Sequence, residues 1–594
     1  MTSAIEFDHD FPVAPSAVAA HQEQDLRRAL EAYHFFYPTV SMEAIARGTR
    51  AAGAADNKAA LLVVAQPRHV GFTLNSDTPY AGGILDLRES GPVVIELPPG
   101  PLVGLADDHH QRWITDLGLP GADGGKGGRH LILPPGWDGT VPAGYLAARS
   151  DTWLVLFALR ALPLGGDLDA AIKLLTSVRV YRLNGGDRNG YGYADATARP
   201  VDTTPLAWEA NLGYWRVLHE VISAEPPIEE MRPMLGALAE LGIEAGRPFR
   251  PPADLAQVLT IAAERGRDEM LVAAFASRRP DRLVWPGRAW EWVGLRPENG
   301  AFERAGSLDV EARDRWFAQA IVASPAMFRR TVGQGSLYWL ACRDAVGGYL
   351  DGGRTYKLIV PLPVPASLFW SVTCYDAQTR SEISAEQGKA ALRSLFEDIA
   401  PDDADSVDLY FGPARPDDAG DRWIQTVPGR GWFCYFRIYG PQAPAFDGSW
   451  RPGDFIARSL LDPAQPAQPG RWLGERHGGR RRRRLGTARL THPGQLRRVA
   501  SPAHDPVDDG PRHASQRLPN ITTMPHATHT AIMRPGVNRA AGQRGTWLFA
   551  DAVLCSGLWR ERPGCFLLSC RARRRPRTWG RWSSRRPSAA GPSR

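Results

Sequence analysis

Between residues 60 and 161 the chain never stays apolar for long. Short hydrophobic segments at 61–65, 82–87, 93–97, 102–106, 113–117, 130–133 and 153–158 recur about every ten residues, with Gly and Pro between them. That spacing leaves no room for crossover helices, so it argues against a parallel Rossmann sheet and predicts an antiparallel sandwich or barrel.

The flanking segments have other periods. In 24–49, Leu26, Leu30, Tyr33, Phe36 and Tyr37 share one helical face, and Pro38 is expected to break the pattern. Residues 204–345 read as a helical module. It is expected to open at Thr204-Pro205, with Leu206, Ala210, Tyr214 and Val217 on one face, and to continue with helices at 228–241, 253–277 and 308–332. Strand-like segments return at 356–362, 367–375, 406–411, 422–426 and 433–439, with a helix expected at 386–399.

The predicted fold is therefore mainly β with a helical insert, two antiparallel β-sandwich domains around a helical module. Its expected parts are a flexible 1–23, a helix and sandwich over 24–203, the helical module 204–345, a second sandwich over 346–455, and a disordered Arg-rich tail over 456–594.

The net charge of +7 averages two unlike parts. Residues 457–594 hold 27 Arg, no Lys and 7 acidic groups, a net of +20, which leaves 44 basic and 57 acidic groups before them, a net of −13. An acidic body argues against nucleic acid as its partner. The tail can be read as an anionic-surface binder, as an ordinary disordered extension, or as a GC-rich gene translated out of frame. The whole chain has only 5 Lys, which favours the last. The N-terminus has neither a basic region nor an apolar core, and no stretch approaches the ~18 apolar residues of a span. A cytoplasmic location follows by default. Cys342, Cys374 and Cys434 form no CxxC and are expected to be buried reduced thiols.

Several chemistries are excluded by motif. No G-x-S-x-G nucleophile elbow occurs, and His219-Glu220 has no second His one turn on. The Gly-rich 121–128 is followed by a strand pattern rather than a helix, so a hairpin loop is expected there instead of a phosphate cradle. No residue set has metal-ligand spacing, and the sequence leaves any cofactor unknown.

Three clusters remain. In Asn75-Ser-Asp-Thr-Pro-Tyr80 one loop can present a carboxamide and the Asp77 carboxylate to a ligand, or close an Asx-turn on itself. In Asp107-Asp-His-His-Gln-Arg112, strand alternation would put Asp108, His110 and Arg112 on one face with Asp116, making His110 a candidate base, or leave a solvated strand end. In the third, Asp376 is placed to cap a turn while Arg380 pairs with a carboxylate or an anionic ligand. Trp423, Gln425, Arg437 and Tyr439 alternate with apolar neighbours, as in a ligand cleft or a polar seam.

These stretches together resemble a bacterial family that joins two domains of unknown function, 1254 at the N-terminal side and 1214 at the C-terminal side. The resemblance rests on NSDTPY (75–80), GLPGADGGKGGRHLILPPG (118–136), YLDGGRTYKLIVPLPVPASLFWSVTCYDAQTRSEI (349–383), SVDLYFGP (406–413), RWIQTVPGRGWFCYFRIYGPQAPAFDGSW (422–450) and RPGDF (451–455). It runs over about 25–455 and stops where the composition breaks. It implies two sandwiches, the second jelly-roll-like, around a helical insert, and it implies no activity. Where the family pattern has Thr-Asp-Gln, this chain has Ala385-Glu386-Gln387.

Two functions fit. One is a hydrolase or lyase for a small polar or saccharide-like substrate, with His110, Asp108, Asp77 and Arg380 as catalytic groups and Asn75, Tyr80, Asp116, Gln425 and Arg437 as ligand-binding groups. The other is a non-catalytic ligand-binding or assembly protein, with a homo-oligomer as one form. Convergence of the three clusters on one pocket would favour the enzyme.

Overall fold

The computed structural model describes residues 5–185, 188–297, 300–399 and 404–458. The Arg-rich segment from 459 onward, with its three Cys, lies outside them.

The first long element is a helix, α1, over Ala14–Ala51, 38 residues in length. It starts ahead of the periodic stretch because its first turns are largely exposed and carry no apolar stripe. Residues 14–23, expected to be flexible, belong to this helix. Pro38 does not end it. Proline removes one intrahelical donor and leaves the carbonyl four residues back without its bond. That carbonyl, on His34, accepts from Arg313 at 3.1 Å, and Arg313 also donates to the Phe35 carbonyl at 2.6 Å.

The N-terminal sandwich follows. Its strands are β1 (Ala59–Val63), β2 (Tyr80–Asp86), β3 (Val93–Leu97), β4 (Leu102–Asp108), β5 (Trp113–Gly118), β6 (Gly128–Leu133), β7 (Leu146–Arg149), β8 (Leu154–Ala161), β9 (Arg179–Arg182) and β10 (Gly192–Asp195). They form a six-stranded sheet, β10-β1-β2-β8-β4-β5, and a four-stranded sheet, β7-β6-β3-β9. Most pairs are antiparallel, but β10 lies parallel to β1 and β7 parallel to β6. The Gly-rich segment is not a hairpin: it carries the chain from β5 in one sheet to β6 in the other. Side chains such as Leu62, Ile95, Leu102, Ile132, Val155 and Phe157 fill the space between the sheets. Period-2 alternation sends Leu61, Val63, Leu105, Leu156 and Arg160 to the opposite face of the larger sheet.

The helical module contains α2 (Gly213–Ala224), α3 (Arg232–Glu240), α4 (Ala253–Phe275) and α5 (Val310–Phe317). Helix does not start at Thr204-Pro205, because the Asp202 carboxylate binds both the Thr204 amide (2.9 Å) and hydroxyl (2.6 Å), and the chain turns before α2. The single helix expected over 308–332 ends at Phe317, and Val322, at φ +56, lies in the non-helical stretch before a short turn of helix at Pro325–Phe328. At the α1–α4 crossing, a Cβ on Gly266 would stand 2.4 Å from the Tyr33 ring, so only glycine allows that approach.

The second sandwich has strands β11 (Glu291–Trp292), β12 (Ser336–Ala341), β13 (Tyr356–Pro361), β14 (Ala366–Asp376), β15 (Ala391–Arg393), β16 (Ser406–Gly412), β17 (Trp423–Gln425), β18 (Trp432–Pro441) and β19 (Ile456–Ala457). The sheets are β11-β12-β18-β14-β15 and β17-β16-β13-β19. Three sequence boundaries move. The apolar run at 336–341, placed in the helical module, is a strand paired with β18. Residues 386–399 hold β15 and turns rather than a helix, since Ala391–Arg393 pairs with β14. Ile456 and Ala457 pair with Lys357 and Tyr356, so the fold reaches past the composition break. Cys342, Cys374 and Cys434 are buried and free. Trp339, Val372, Cys434, Phe436 and Leu409 fill this second core. Among the described residues no helix is long and apolar enough to cross a membrane.

Candidate functional site

Alternation on the second sandwich has the same consequence as on the first. With Trp339, Val372, Phe436 and Ile438 turned into the core, Tyr338, Ser371, Thr373, Tyr375, Tyr435, Arg437 and Tyr439 point out of the five-stranded sheet. An isolated sandwich would show these polar groups to water. Here most are buried, because the sheet faces the N-terminal sandwich and helical module.

A cavity of about 610 Å³ lies there, within the usual range for small-molecule sites. The outer face of the first sandwich contributes Leu61, Val63, Leu105, Leu156 and Arg160. The second sandwich contributes Tyr338, Tyr435, Arg437 and Tyr439, and the segment after α5 adds Ile321, Val322 and Met327. Leu119, Thr331, Gln334 and Leu368 are exposed and mark its opening.

The segment 71–77 joins the two halves. The Thr73 amide donates to the Arg380 carbonyl (2.8 Å) and the Gly71 amide to the Ser381 hydroxyl (3.0 Å). Tyr375 donates to the Leu74 carbonyl at 2.7 Å, and Arg437 donates to the Thr73 carbonyl at 3.1 Å. Asn75 does close an Asx-turn, its Oδ1 accepting from the Asp77 amide at 3.0 Å, while its Nδ2 donates to the Tyr80 hydroxyl. The Asp77 carboxylate instead reaches across the junction. It accepts from Ser371 at 2.8 Å and from Tyr439 at 2.9 Å.

Of the residues singled out in the sequence, Asn75, Tyr80, Asp116, Arg437 and Tyr439 line the cavity. Asp77 sits behind its wall through Tyr439. The others lie elsewhere. β4 ends at Asp108, and Gln111 at φ +55 turns the chain, so Asp108, His110 and Asp116 do not form one strand face. Asp108 caps that turn, accepting from the His110 amide at 2.8 Å and the Arg112 amide at 2.9 Å. Burial pushes its carboxyl up to about 6, against the pull of Arg112. His110 is fully buried, bonded to Thr39 at 2.8 Å. Burial, with His109 and Arg112 nearby, drives its ring well below the ordinary histidine value. The neighbour, His109, is the histidine between two carboxylates, Glu225 at 2.7 Å and Glu43 at 3.1 Å. Gln111 and Asp107 hold the segment after α5, accepting from the amides of Val322 at 2.6 Å and Ala323 at 2.9 Å.

Arg380 is fully buried and paired with Glu209 at 2.7 Å, with Tyr37 alongside at 3.1 Å. It ties the second sandwich to α1 and the helical module. Asp376 caps its turn as expected, at 2.9 Å from the Gln378 and Thr379 amides. Gln425 faces away and exchanges 2.8 Å bonds with Gln387, while Glu386 is exposed. The three clusters therefore disperse: the cavity takes Asn75 and Tyr80 from the first, Asp116 from beyond the second, and Arg437 and Tyr439 from the later strands.

The sequence reading missed Arg160, Tyr338 and Glu382. Arg160 was visible as the single charge in the apolar run 154–161, but Tyr338 lay in a segment taken for helix. Arg437 donates to Tyr375 at 2.6 Å and Thr373 at 2.9 Å, and its Nε has no partner. Arg160 lies with Tyr338, Tyr80 and Tyr439 on the cavity wall and interacts with them electrostatically. Though deep in the molecule, Arg160 and Tyr338 both keep some accessible surface, which they present to the cavity. Among the described residues neither guanidinium forms a salt bridge. Two carboxyl groups interact electrostatically with Arg437 without bridging it: Asp77, already engaged by Ser371 and Tyr439, and Glu382. Burial raises Tyr80 and, together with Asp77, raises Tyr439, so both remain phenols. Burial pushes Glu382, which is near Asp77, up to about 7, and neither of its carboxyl oxygens has a partner. Among the described residues no cluster of His, Cys, Asp and Glu is arranged to hold a metal ion.

Residues 61–182 match the model of a protein of unknown function, DUF1254, and residues 335–443 match another, DUF1214, so the chain carries the two in tandem and in that order. Among solved structures it is similar to the VPA0106 protein from Vibrio parahaemolyticus, at 16% identity and a TM-score of 0.44 over 73% of this chain and 99% of that one. An uncharacterized protein from Burkholderia cenocepacia is similar at 13% identity and a TM-score of 0.33, over 74% of this chain and 97% of that one. Curated proteins give no match.

Proposed function

We propose that this protein binds a small organic anion with an apolar body, such as a medium-chain or aryl carboxylate, in the cavity between its two sandwiches. The observation that carries the reading is the pair of guanidiniums on the cavity, Arg160 and Arg437, with no carboxylate salt-bridged to either among the described residues. A buried cation without a counter-ion is costly, and an incoming carboxylate supplies that counter-ion. Arginine also matches a carboxylate in shape. The aliphatic walls suit a hydrocarbon body better than a saccharide, which would call for more hydrogen-bonding groups. A hydrolase or lyase built on His110, Asp108, Asp77 and Arg380 has less support, because these groups fall in three separate places: the Asp108–His110 turn, Asp77 with Ser371 and Tyr439, and Arg380 with Glu209. The non-catalytic ligand-binding reading is therefore preferred.

Isothermal titration with octanoate and 3-phenylpropionate, and with octanol as the uncharged control, tests it. Either carboxylate is expected to bind, octanol to bind about tenfold or more weakly, and R160M or R437M to lose about tenfold or more in affinity. Equal binding of octanol and octanoate would remove the guanidiniums from the account.

A further inference from the structure

The cavity wall also carries one negative group. Among the described residues Asp116, on β5, is the single carboxylate that lines it. Asp116 is 6% exposed, its Oδ1 has no hydrogen-bond partner, and it joins no salt bridge among the described residues. The nearest cation, Arg329, is exposed at the cavity and acts on the carboxylate electrostatically without pairing with it. Strand register fixes where Asp116 stands relative to Arg160. Asp116 pairs with Leu105 on β4, Leu105 pairs with Ala158 on β8, and Arg160 lies two residues along β8 on the same face. Two strand spacings across and two residues along put the Cα atoms of Asp116 and Arg160 about 12 Å apart. Between them the floor is Val103, Leu105 and Ala158, and Ala158 offers only a methyl, so a hydrocarbon chain can lie across it.

We propose that the anion this cavity takes also carries an ammonium group at its far end, an ω-amino carboxylate whose carboxylate meets Arg160 and Arg437 and whose ammonium meets Asp116. The inference rests on the proposed anion site and narrows its ligand class. The wall holds its opposite charges apart, and such a ligand gives each of them a partner. A buried charge is costly until it is paired, and an ammonium supplies Asp116 with both the counter-charge and the donor it lacks. A plain carboxylate would leave Asp116 unpaired, with a hydrocarbon end beside it. An extended eight-carbon chain holds its end groups about 10 Å apart, close to the separation the sheet sets. An α-amino acid carries its two charges on adjoining groups and cannot meet both ends. Burial raises the Asp116 carboxyl above its ordinary value, and Ser324 and Arg329 offset only part of this. A bound ammonium lowers it again.

The test is isothermal titration of the full chain, at about pH 7, with octanoate, 8-hydroxyoctanoate and 8-aminooctanoate, which differ only at the far end. The amino form is expected to bind about tenfold or more tightly than either of the others. In D116N that preference is expected to vanish, leaving 8-aminooctanoate no tighter than octanoate. Octanoate or 8-hydroxyoctanoate binding to wild type as well as 8-aminooctanoate, or better, overturns the inference and leaves the anion site standing. A preference that D116N retains does the same. Should D116N not fold, N-acetylation of the ligand, which removes its positive charge, decides in its place: the wild-type protein is expected to lose about tenfold or more, and equal binding overturns the inference. Failure of all these carboxylates and of 3-phenylpropionate to bind overturns both readings.

Discussion

The Asp77 carboxylate accepts a 2.9 Å hydrogen bond from the Tyr439 hydroxyl across the junction of the two sandwiches. The two residues are far apart in sequence, and both are fully buried or nearly so. This contact, with Ser371 on the same oxygen, fixes the loop that carries Asn75 and Tyr80 against the strand that carries Arg437. A bond to a charged acceptor contributes about 1.5–3 kcal/mol. Y439F keeps the ring and removes only the donor, so it should lower the unfolding free energy read from urea denaturation by about 1.5–3 kcal/mol, with a lower midpoint. An unchanged midpoint would mean that the junction does not depend on this contact.

Arg380 and Glu209 make the second tie. Removing one partner of a buried pair strands the other, at about 3–5 kcal/mol. R380M should therefore destabilise strongly, and R380M/E209L should recover part of the loss, since replacing both charges removes the stranded one. A double variant as unstable as the sum of the singles would contradict the pairing. The measurement is a denaturation double-mutant cycle.

His109 and His110 should give opposite pH dependence of stability. Burial disfavours the His109 cation, but the hydrogen bonds and charges of Glu225 and Glu43 outweigh it and raise the ring above its ordinary value. Its contribution is full below the unfolded value of about 6.5 and is lost as pH rises through the folded one. His110 is driven well below its ordinary value by burial, so it costs stability as pH falls below about 6.5, where the unfolded chain takes up a proton that the folded one does not. Urea midpoints of wild type minus H109Q should shrink from about pH 6 to about pH 9, and those of wild type minus H110Q should grow with pH from about 5 to about 7. The same slope for both would refute the assignment.

The α1–α4 crossing can be tested at Gly266. Alanine would add about 1 kcal/mol of helix propensity. Its Cβ would meet the Tyr33 ring at 2.4 Å, however, and overpacking costs about 1–3 kcal/mol. Tyr33 is locked by a 2.7 Å bond to the Glu209 carbonyl and stacks on Tyr214, so it has little room to move. G266A should lower the melting temperature; an increase would show that the ring gives way.

Most of the strands were legible in the sequence because alternation and turn residues are local signals. The errors have long-range causes. Pro38 reads as a helix end until Arg313 is seen to bind the carbonyl it frees. The run at 336–341 reads as helix beside helical neighbours, and only its pairing with β18 makes it a strand. The site was half visible. Asn75, Tyr80, Asp116 and Arg437 drew attention as polar groups in apolar settings, and all four reach the cavity. His110 drew attention for the same reason and does not, because Gln111 turns the strand end away. No periodicity shows that the outer faces of two sandwiches meet, and that meeting turns Arg160, Tyr338 and Arg437 into one site.

The central claim is that an anion sits between Arg160 and Arg437. A crystal structure with 8-bromooctanoate, the bromine located by its anomalous signal, tests it most directly. The account predicts bromine among Leu61, Leu105 and Leu156, with the carboxylate within about 3 Å of both guanidiniums. A carboxylate turned toward the opening at Leu119 and Leu368, or bromine outside the cavity, would contradict it.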